Sequence, residues 1–323
     1  MYGGKFEIKV AKYLDTIKKN TSKEGMILST ILEVTDVEIM RDGDFDSLGF
    51  VTHNRLNQLV FLEDLKFLLK LINNQNISCV ITTKDLVEKL PNYMGIAIAE
   101  NPREIFYKFH NFLATETDFY WKGFPTEISN DAEIDSRAYV AEKNVRIGNA
   151  VVVEPGALIL ERSIIEDDAI IGAGTVIGSK GFEFTLIGKS MMKIHHGGGV
   201  LLRRRVEVQS NCCIDRSVFG GLTELGEDTK LDNLVHIAHN VIIGKRCRLA
   251  ACAMIAGSVT IGDDVWVGPG TSVSSEVKIG DGANVTIGSV VTKDIEAGQR
   301  VTGNFAIAHD KFIHHIKKIS RDT

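Results

Sequence analysis

The chain has 323 residues, with 37 Lys and Arg against 42 Asp and Glu, a formal net charge of −5 and a pI near 6.0. This mildly acidic balance excludes a nucleic-acid partner held by phosphate neutralisation. No 18-residue apolar run spans a bilayer and no signal-peptide pattern opens the sequence, so a cytoplasmic protein without a membrane segment is expected.

In chain order, residues 1–120 read as a small α/β domain, rich in Lys, Asn, Leu and Phe and poor in glycine. Residues 62–72 predict a helix with Leu65, Leu68, Leu69 and Ile72 on one side. Residues 77–81 and 94–99 predict two buried strands, each running into a turn signal, Thr82-Thr83-Lys84 and Asn101-Pro102. Residues 101–112 then predict a second helix, with Ile105, Phe106 and Phe109 facing inward.

From there a different rule governs the chain. Leu225, Leu231, Ile237, Ile243, Leu249, Ile255, Ile261, Val267, Val273, Ile279, Val285 and Val291 fall on one six-residue grid. Earlier members are Ile128, Ile134 and Val140, then Ile147, Val153, Ile159, Ile165, Ile171 and Ile177, then Leu202, Val208 and Ile214. A helix repeats its buried side near 3.6 residues and a strand near 2, so a period of six is neither. It predicts a coil of short strands over residues 121–303, three hexads to a turn, each contributing one inward aliphatic. The longer step from Val140 to Ile147 places one extra residue at a corner. The grid lapses twice, at about 178–199 and 215–224, and such excursions are where a repeat protein grows its binding site. The repeated Ile-Gly pairs, as at Ile243-Gly244 and Ile261-Gly262, are expected to serve tight corners. Residues 304–323 predict one short helix carrying Phe312, Ile313, Ile316 and Ile319.

The five cysteines, Cys79, Cys212, Cys213, Cys247 and Cys252, lack any Cys-x-x-Cys pair, so reduced thiols are expected and Cys212-Cys213 is read as packing. The densest polar run is Lys230 to Asn240. Ile237 takes the inward position there, so His236 and His239 face outward or sit at a corner, where a neutral imidazole accepts a proton near pH 7. A pair of solvated or interface histidines is the alternative on spacing alone. Arg203-Arg204-Arg205 either contact phosphates or alternate around a corner.

Repeated Ile-Gly at a period of six resembles the hexapeptide-repeat acyltransferases, whose fold is a left-handed parallel β-helix. Asp232-Asn233-x-x-x-Ile237-Ala238-His239-Asn240 resembles the active-site stretch of the UDP-3-O-acylglucosamine N-acyltransferase family of lipid A biosynthesis. Gly178-Ser179-Lys180-Gly181-Phe182-Glu183-Phe184, Ile214-Asp215-Arg216 and Ala256-Gly257-Ser258 follow the family order, as do Gly49-Phe50-Val51 and Glu100-Asn101-Pro102 in the N-terminal domain. The resemblance implies a mainly β, left-handed parallel β-helix with an N-terminal α/β domain and a short C-terminal helix, assembled as a homotrimer. Aliphatics such as Val151, Leu234 and Val265 are expected on its outward faces.

The resemblance also implies His239 as general base, Asp232 orienting it, and the Gly257 N–H as oxyanion donor. Asn233, His236 and Asn240 would position substrate, and Phe182 and Phe184 would wall the site or meet an acyl chain. Phe50 and His53 would meet the nucleotide; the family has Asn and Tyr at the positions occupied here by His53 and Leu56. The implied donor is 3-hydroxyacyl-acyl carrier protein, with Lys311, Lys317, Lys318 and Arg321 available to an acidic carrier, and with no tightly bound cofactor or metal.

Departures keep a second donor open. The stretch Thr271 to Val277 lacks a histidine present in some family members. The closing segments Gly288 to Ile295 and Val301 to Ala306, with Phe305 where proline is usual, resemble enzymes using acyl-CoA on another nucleotide-linked sugar. Remoter alternatives are a zinc lyase built on His236 and His239, and a rigid scaffold without catalysis.

Overall fold

The computed structural model describes residues 25–303, 306 and 308–319. From Glu127–Ile128 to Arg300–Val301, two-to-four-residue strands build three parallel sheets of eight, eight and nine strands, one sheet for each side of the coil. Ile237 pairs with Ile255 and Ile255 with Val273, so the grid positions stack in register. All twelve residues from Leu225 to Val291 are at most 6% exposed. Burying each such side chain contributes roughly 1.5–3 kcal/mol relative to leaving it in water. The register also survives the excursions: Ile177 pairs directly with Ile214, and Ile214 with Ile237. The opening coil differs from expectation. Ile128 is 44% exposed, because it lies in the terminal turn with a neighbouring coil on one side only.

Gly178 is a left-handed glycine (φ 85°), as expected of a corner, but Gly244 and Gly262 do a different job. The left-handed corner residue comes two positions later, for example Asp264, Arg246, Ser258 and Asn240, all with φ near +60°. Gly244 and Gly262 instead pass close to the next coil: a Cβ on Gly262 would fall 2.7 Å from the Asp281 backbone nitrogen. They are small so that coils can stack.

Two of the expected outward aliphatics, Val151 and Val265, are fully buried in the coil interior, because the position before each strand also turns inward; Leu234 is 57% exposed. The outward apolar row lies instead on the sheet carrying His236, at Tyr139, Leu158, Met254 and Val290.

Ahead of the coil, a five-stranded sheet runs in the order Glu38–Arg41, Gly95–Ile98, Ile77–Thr82, Gln58–Leu62, Ser47–Leu48, antiparallel only at its first pair. Alternate residues face opposite ways. Leu59, Cys79, Ile81 and Ala97 meet the helix Pro102–Thr115, and Val60, Leu62, Val80 and Ile96 meet the other layer. The predicted helix starts too early: Leu62 ends a strand, Leu65–Phe67 is a 3₁₀ turn, and the α-helix is Leu68–Asn73. Its fully buried residue is Leu71, whereas Leu65 and Leu69 are exposed.

The first core does not stop at the domain edge. It takes in Ile194 from the first excursion and Val218 and Phe219 from the second. Phe219 is ringed by Phe50 at 5.2 Å, Phe106 at 5.5 Å and His110 at 4.8 Å, and Arg55 donates to the carbonyls of Phe219 and Gly220. Both excursions are therefore anchored on the N-terminal sheet and helix. At the other end, His309–Ile319 forms the expected helix, with Phe312 47% exposed and Lys311, Lys317 and Lys318 exposed; Phe305, Arg321 and the side chains of Ile316 and Ile319 lie outside the described residues.

Candidate active site

His239 sits at the corner after the strand His236–Ile237, whose Ile237 points into the coil. Its Nδ1 lies 3.2 Å from Asn240 Oδ1, an oxygen that also accepts the Val218 N–H at 2.9 Å. Asn240 occupies the left-handed corner (φ 62°), and its own N–H donates to Thr223 Oγ1. Because an amide oxygen only accepts, this contact assigns the proton of a neutral imidazole to Nδ1 and leaves the Nε2 lone pair facing the site. Glu183 Oε2, from the first excursion, lies 3.4 Å from Nε2. Burial pushes the imidazole down, but the hydrogen bond and charge of Glu183, with Asn240 and Asp215, outweigh it and raise the pKa above 6.5. Glu183 thus favours the protonated form of the His239 ring.

Gly257 lies one coil further on, flat against this ring. A Cβ there would fall 2.5 Å from His239 Cε1 and 2.7 Å from Nε2, so only glycine leaves the imidazole in place. At equivalent corners the backbone N–H of Asn149, Ala173, Lys245, Ala251 and Asp263 donates to a carboxylate. Among the described residues no such carboxylate caps the Gly257 N–H, which leaves a fixed donor beside the His239 ring.

Behind His239 lies His196, 5% exposed, with ring centroids 5.8 Å apart at 71°. Beside it, the buried Asp215 carboxylate accepts the Ser179 hydroxyl on Oδ1 and lies 3.7 Å from His236 Nε2 through Oδ2. Cys213 completes this group; it is half-buried while Cys212 is buried, so Cys213 belongs to the site's wall and not to packing alone. Among the described residues, Cys213, Asp215 and His236 form the one grouping of three potential metal ligands, with donor atoms within 4.8 Å of one another. This grouping includes His236 but not His239.

The expected residues thus divide. His239, Asn240 and Gly257 converge on one ring, and His236 lies on the adjoining face. Asp232 has other work: its carboxylate accepts the N–H groups of Asn233 and Ala251, and Asn233 Oδ1 in turn accepts the Ser210 N–H. Both are exposed corner braces between coils, and the side chains that contact His239 are Asn240 and Glu183 instead of Asp232. Phe182 and Phe184 flank Glu183, 87% and 41% exposed, with ring centroids 5.0 Å apart. Phe50 and His53 lie against Phe219 in a turn closed by the His53 N–H on the Phe50 carbonyl; Leu56 is 76% exposed. Arg203 pairs with Glu166 and Glu224, and Arg205 with Glu227, which makes these arginines ties between coils.

Residues 144–179 and 223–257 match the family described as bacterial transferase hexapeptide (six repeats). UDP-3-O-acylglucosamine N-acyltransferase 2 of Nitrobacter winogradskyi is 31% identical over 249 residues, 66% of this chain and 70% of that protein. The chain belongs to the UDP-3-O-acylglucosamine N-acyltransferase family. It is an acyltransferase, and its fold is a left-handed parallel β-helix of hexapeptide repeats. The Helicobacter pylori (strain HPAG1) member of this family is 29% identical over 248 residues, covering 68% of this chain and 71% of its own. Among solved structures, UDP-N-acetylglucosamine acyltransferase from Campylobacter jejuni is similar with a TM-score of 0.49 and 24% identity, over 59% of this chain and 78% of that one.

Glu183 and His196 are the site residues that sequence reading did not single out. Both fall inside the first lapse of the hexad grid, the segment already marked as the place where a site would grow.

Proposed function

We propose that this chain transfers an acyl group from a 3-hydroxyacyl thioester on acyl carrier protein to the amine of a UDP-linked, 3-O-acylated glucosamine, a step of lipid A synthesis. The names of its relatives supply the substrate class. The observation that carries the chemistry is the clamp on His239: Nδ1 held by Asn240, Nε2 turned to the site, and an uncapped Gly257 N–H against the ring.

The amine nitrogen attacks the thioester carbonyl carbon while its proton passes to His239 Nε2. Glu183 stabilises the resulting imidazolium, and the Gly257 N–H donates to the oxyanion. Collapse breaks the C–S bond, and the thiolate takes the proton back from His239, so the products are an amide and a free thiol. Such a base contributes roughly 10²–10⁴-fold.

Phe182 and Phe184 offer apolar surface to the acyl chain, and Phe50 and His53 lie where the N-terminal sheet meets the second excursion, suited to the nucleotide. The exposed Lys311, Lys317 and Lys318 suit an acidic carrier, and the outward row of Leu158, Met254 and Val290 beside His236 suits burial in a trimer, with sites between subunits. No described helix is long and apolar enough to cross a membrane.

The test is acyl transfer by the protein and by His239→Ala, offering 3-hydroxyacyl carrier protein and acyl-CoA thioesters against UDP-3-O-acylglucosamine and other nucleotide-linked amino sugars. Amide formation with the carrier and UDP-linked acceptor, lost in the variant, is expected. Turnover only with CoA thioesters and another sugar would move the chain to surface-glycan acylation, and full activity of His239→Ala would remove the mechanism.

A further inference from the structure

His196 is buried with both ring nitrogens lacking a hydrogen-bond partner. Its neighbours are satisfied with care. Asn111, on the helix Pro102–Thr115, donates to the Lys193 carbonyl and accepts the His195 N–H, each at 2.9 Å, and His110 Nε2 bonds the His195 carbonyl at 2.6 Å. The helix thus fixes the backbone entering His196 and leaves the ring of that residue without a partner. The Ile194 carbonyl favours the charged ring slightly, without hydrogen-bonding geometry. A position needing only volume would carry an apolar side chain, since a buried polar group without a partner is costly.

The ring's surroundings define what it awaits. Burial, together with the charges of His239, Arg216 and His110, pushes its pKa to about 3, so it is a neutral imidazole with one N–H and one lone pair. Its Nε2 turns towards Gly181, and Asp215 Oδ2 approaches the same glycine: a Cβ there would lie 2.9 Å from each. The His196 ring nitrogen and the Asp215 carboxylate oxygen therefore approach the same point over Gly181, next to the His239 ring. A phosphate would be repelled by Asp215, and the reacting amine is needed at His239 Nε2. A hydroxyl fits both partners, accepting from one and donating to the other.

We propose that His196 recognises a substrate hydroxyl, its Nε2–H donating to the hydroxyl oxygen while the hydroxyl proton turns to Asp215, and that this contact sets specificity. The inference rests on the acyl transfer proposed above. The hydroxyl comes either from the donor chain, next to the thioester carbonyl, or from the chain already carried by the acceptor.

The experiment measures kcat/KM for the parent, His196→Leu and His196→Gln. Donors are 3-hydroxyacyl and unsubstituted acyl carrier protein of equal length, and acceptors carry a 3-O-linked chain with or without its hydroxyl. The parent is expected to prefer the hydroxylated partner in one arm by about tenfold or more, because a site built to bond a hydroxyl rejects the analogue lacking it. His196→Leu abolishes that preference by losing rate on the hydroxylated substrate alone. His196→Gln, which keeps a donor and an acceptor, restores part of it. The arm that responds identifies the source.

Equal losses on all substrates in His196→Leu, a preference that survives it, or a parent indifferent in both arms would each overturn the inference while acyl transfer itself stands. A parent that forms no amide with any pair would overturn both. Thermal unfolding accompanies the kinetics; if His196→Leu does not fold, the parent's preference and its change in His196→Gln still decide.

Discussion

Replacing Gly257 by alanine adds one methyl group, and the structure sets its consequence. The Cβ would lie 2.5 Å from Cε1, 2.7 Å from Nε2 and 3.1 Å from Nδ1 of His239, all inside ordinary contact. Gly257 is not among the positive-φ residues, so its backbone accepts alanine without strain. The ring must then retreat by about 1 Å, a displacement that costs on the order of 10²-fold when it misplaces a reacting group. That retreat also breaks the 3.2 Å contact with Asn240, which selects the tautomer. We expect kcat to fall on the order of 10²-fold, at most to the level of His239→Ala, with unfolding temperature nearly unchanged because the coil core is untouched. The assay is steady-state amide formation with saturating donor, alongside thermal unfolding. A variant within about threefold of the parent in kcat would refute the claim that Gly257 fixes the base.

Glu183→Gln removes the group that chiefly raises the His239 pKa, so the acid limb of the pH dependence of kcat/KM should move to lower pH while maximal turnover falls; an unmoved limb would separate Glu183 from the base. Burial holds His53 and His110 at about 4, below the 6.5 of the unfolded chain, so the unfolded state binds more protons between those values. Stability is then full above about pH 6.5 and lost as pH falls towards 4, with a limiting slope of roughly 1.4 kcal/mol per pH unit for the fully buried His110. Urea midpoints measured across this range check the sign, and a midpoint flat with pH would contradict it. Dialysis against a chelator should leave turnover intact; activity lost and then restored by zinc would shift the chemistry to Cys213, Asp215 and His236. Ile237→Ala should cost about 2–5 kcal/mol in chemical unfolding, and a negligible loss would mean that the coil interior is not close-packed there.

The coil was legible because its rule is local and repeated. One buried aliphatic per hexad is enough to mark each edge, and every member from Ile147 onward occupies the predicted interior. Corner chemistry was less legible. The residue after the aliphatic is small because the next coil passes close to it, and nothing in a single hexad tells that reason apart from a need for positive φ. The short N-terminal helix was misplaced because Leu65 and Leu69 carry an apolar pattern that no neighbouring element buries. In the site, His239, Asn240 and Gly257 were readable from a contiguous motif and its neighbour one coil on. Asp232 was expected to orient His239, yet at a corner its side chain reaches along the stack to Ala251 and not around the turn to His239. Glu183 and His196 were hidden because an excursion has no period, so its side chains cannot be assigned a direction without the fold.

This division explains how a rigid repeat acquires the candidate site. The stack alone offers His239 a fixed corner, an amide clamp from Asn240 and the flat face of Gly257, all from residues in regular coil positions. What regular coils cannot supply is a wall facing the imidazole, because every outward side chain points away from the axis. The first excursion folds back to bring Glu183 and His196 against the ring. The second closes the far side through Val218, whose N–H shares the Asn240 oxygen with His239. Neither loop is held by the coil alone. Phe219 is buried among Phe50, Phe106 and His110, while Asn111 and His110 fix the backbone at residues 193–195. The N-terminal sheet and its helix therefore brace the candidate site, and loosening that brace, for instance at Arg55, should disturb His239 without touching it.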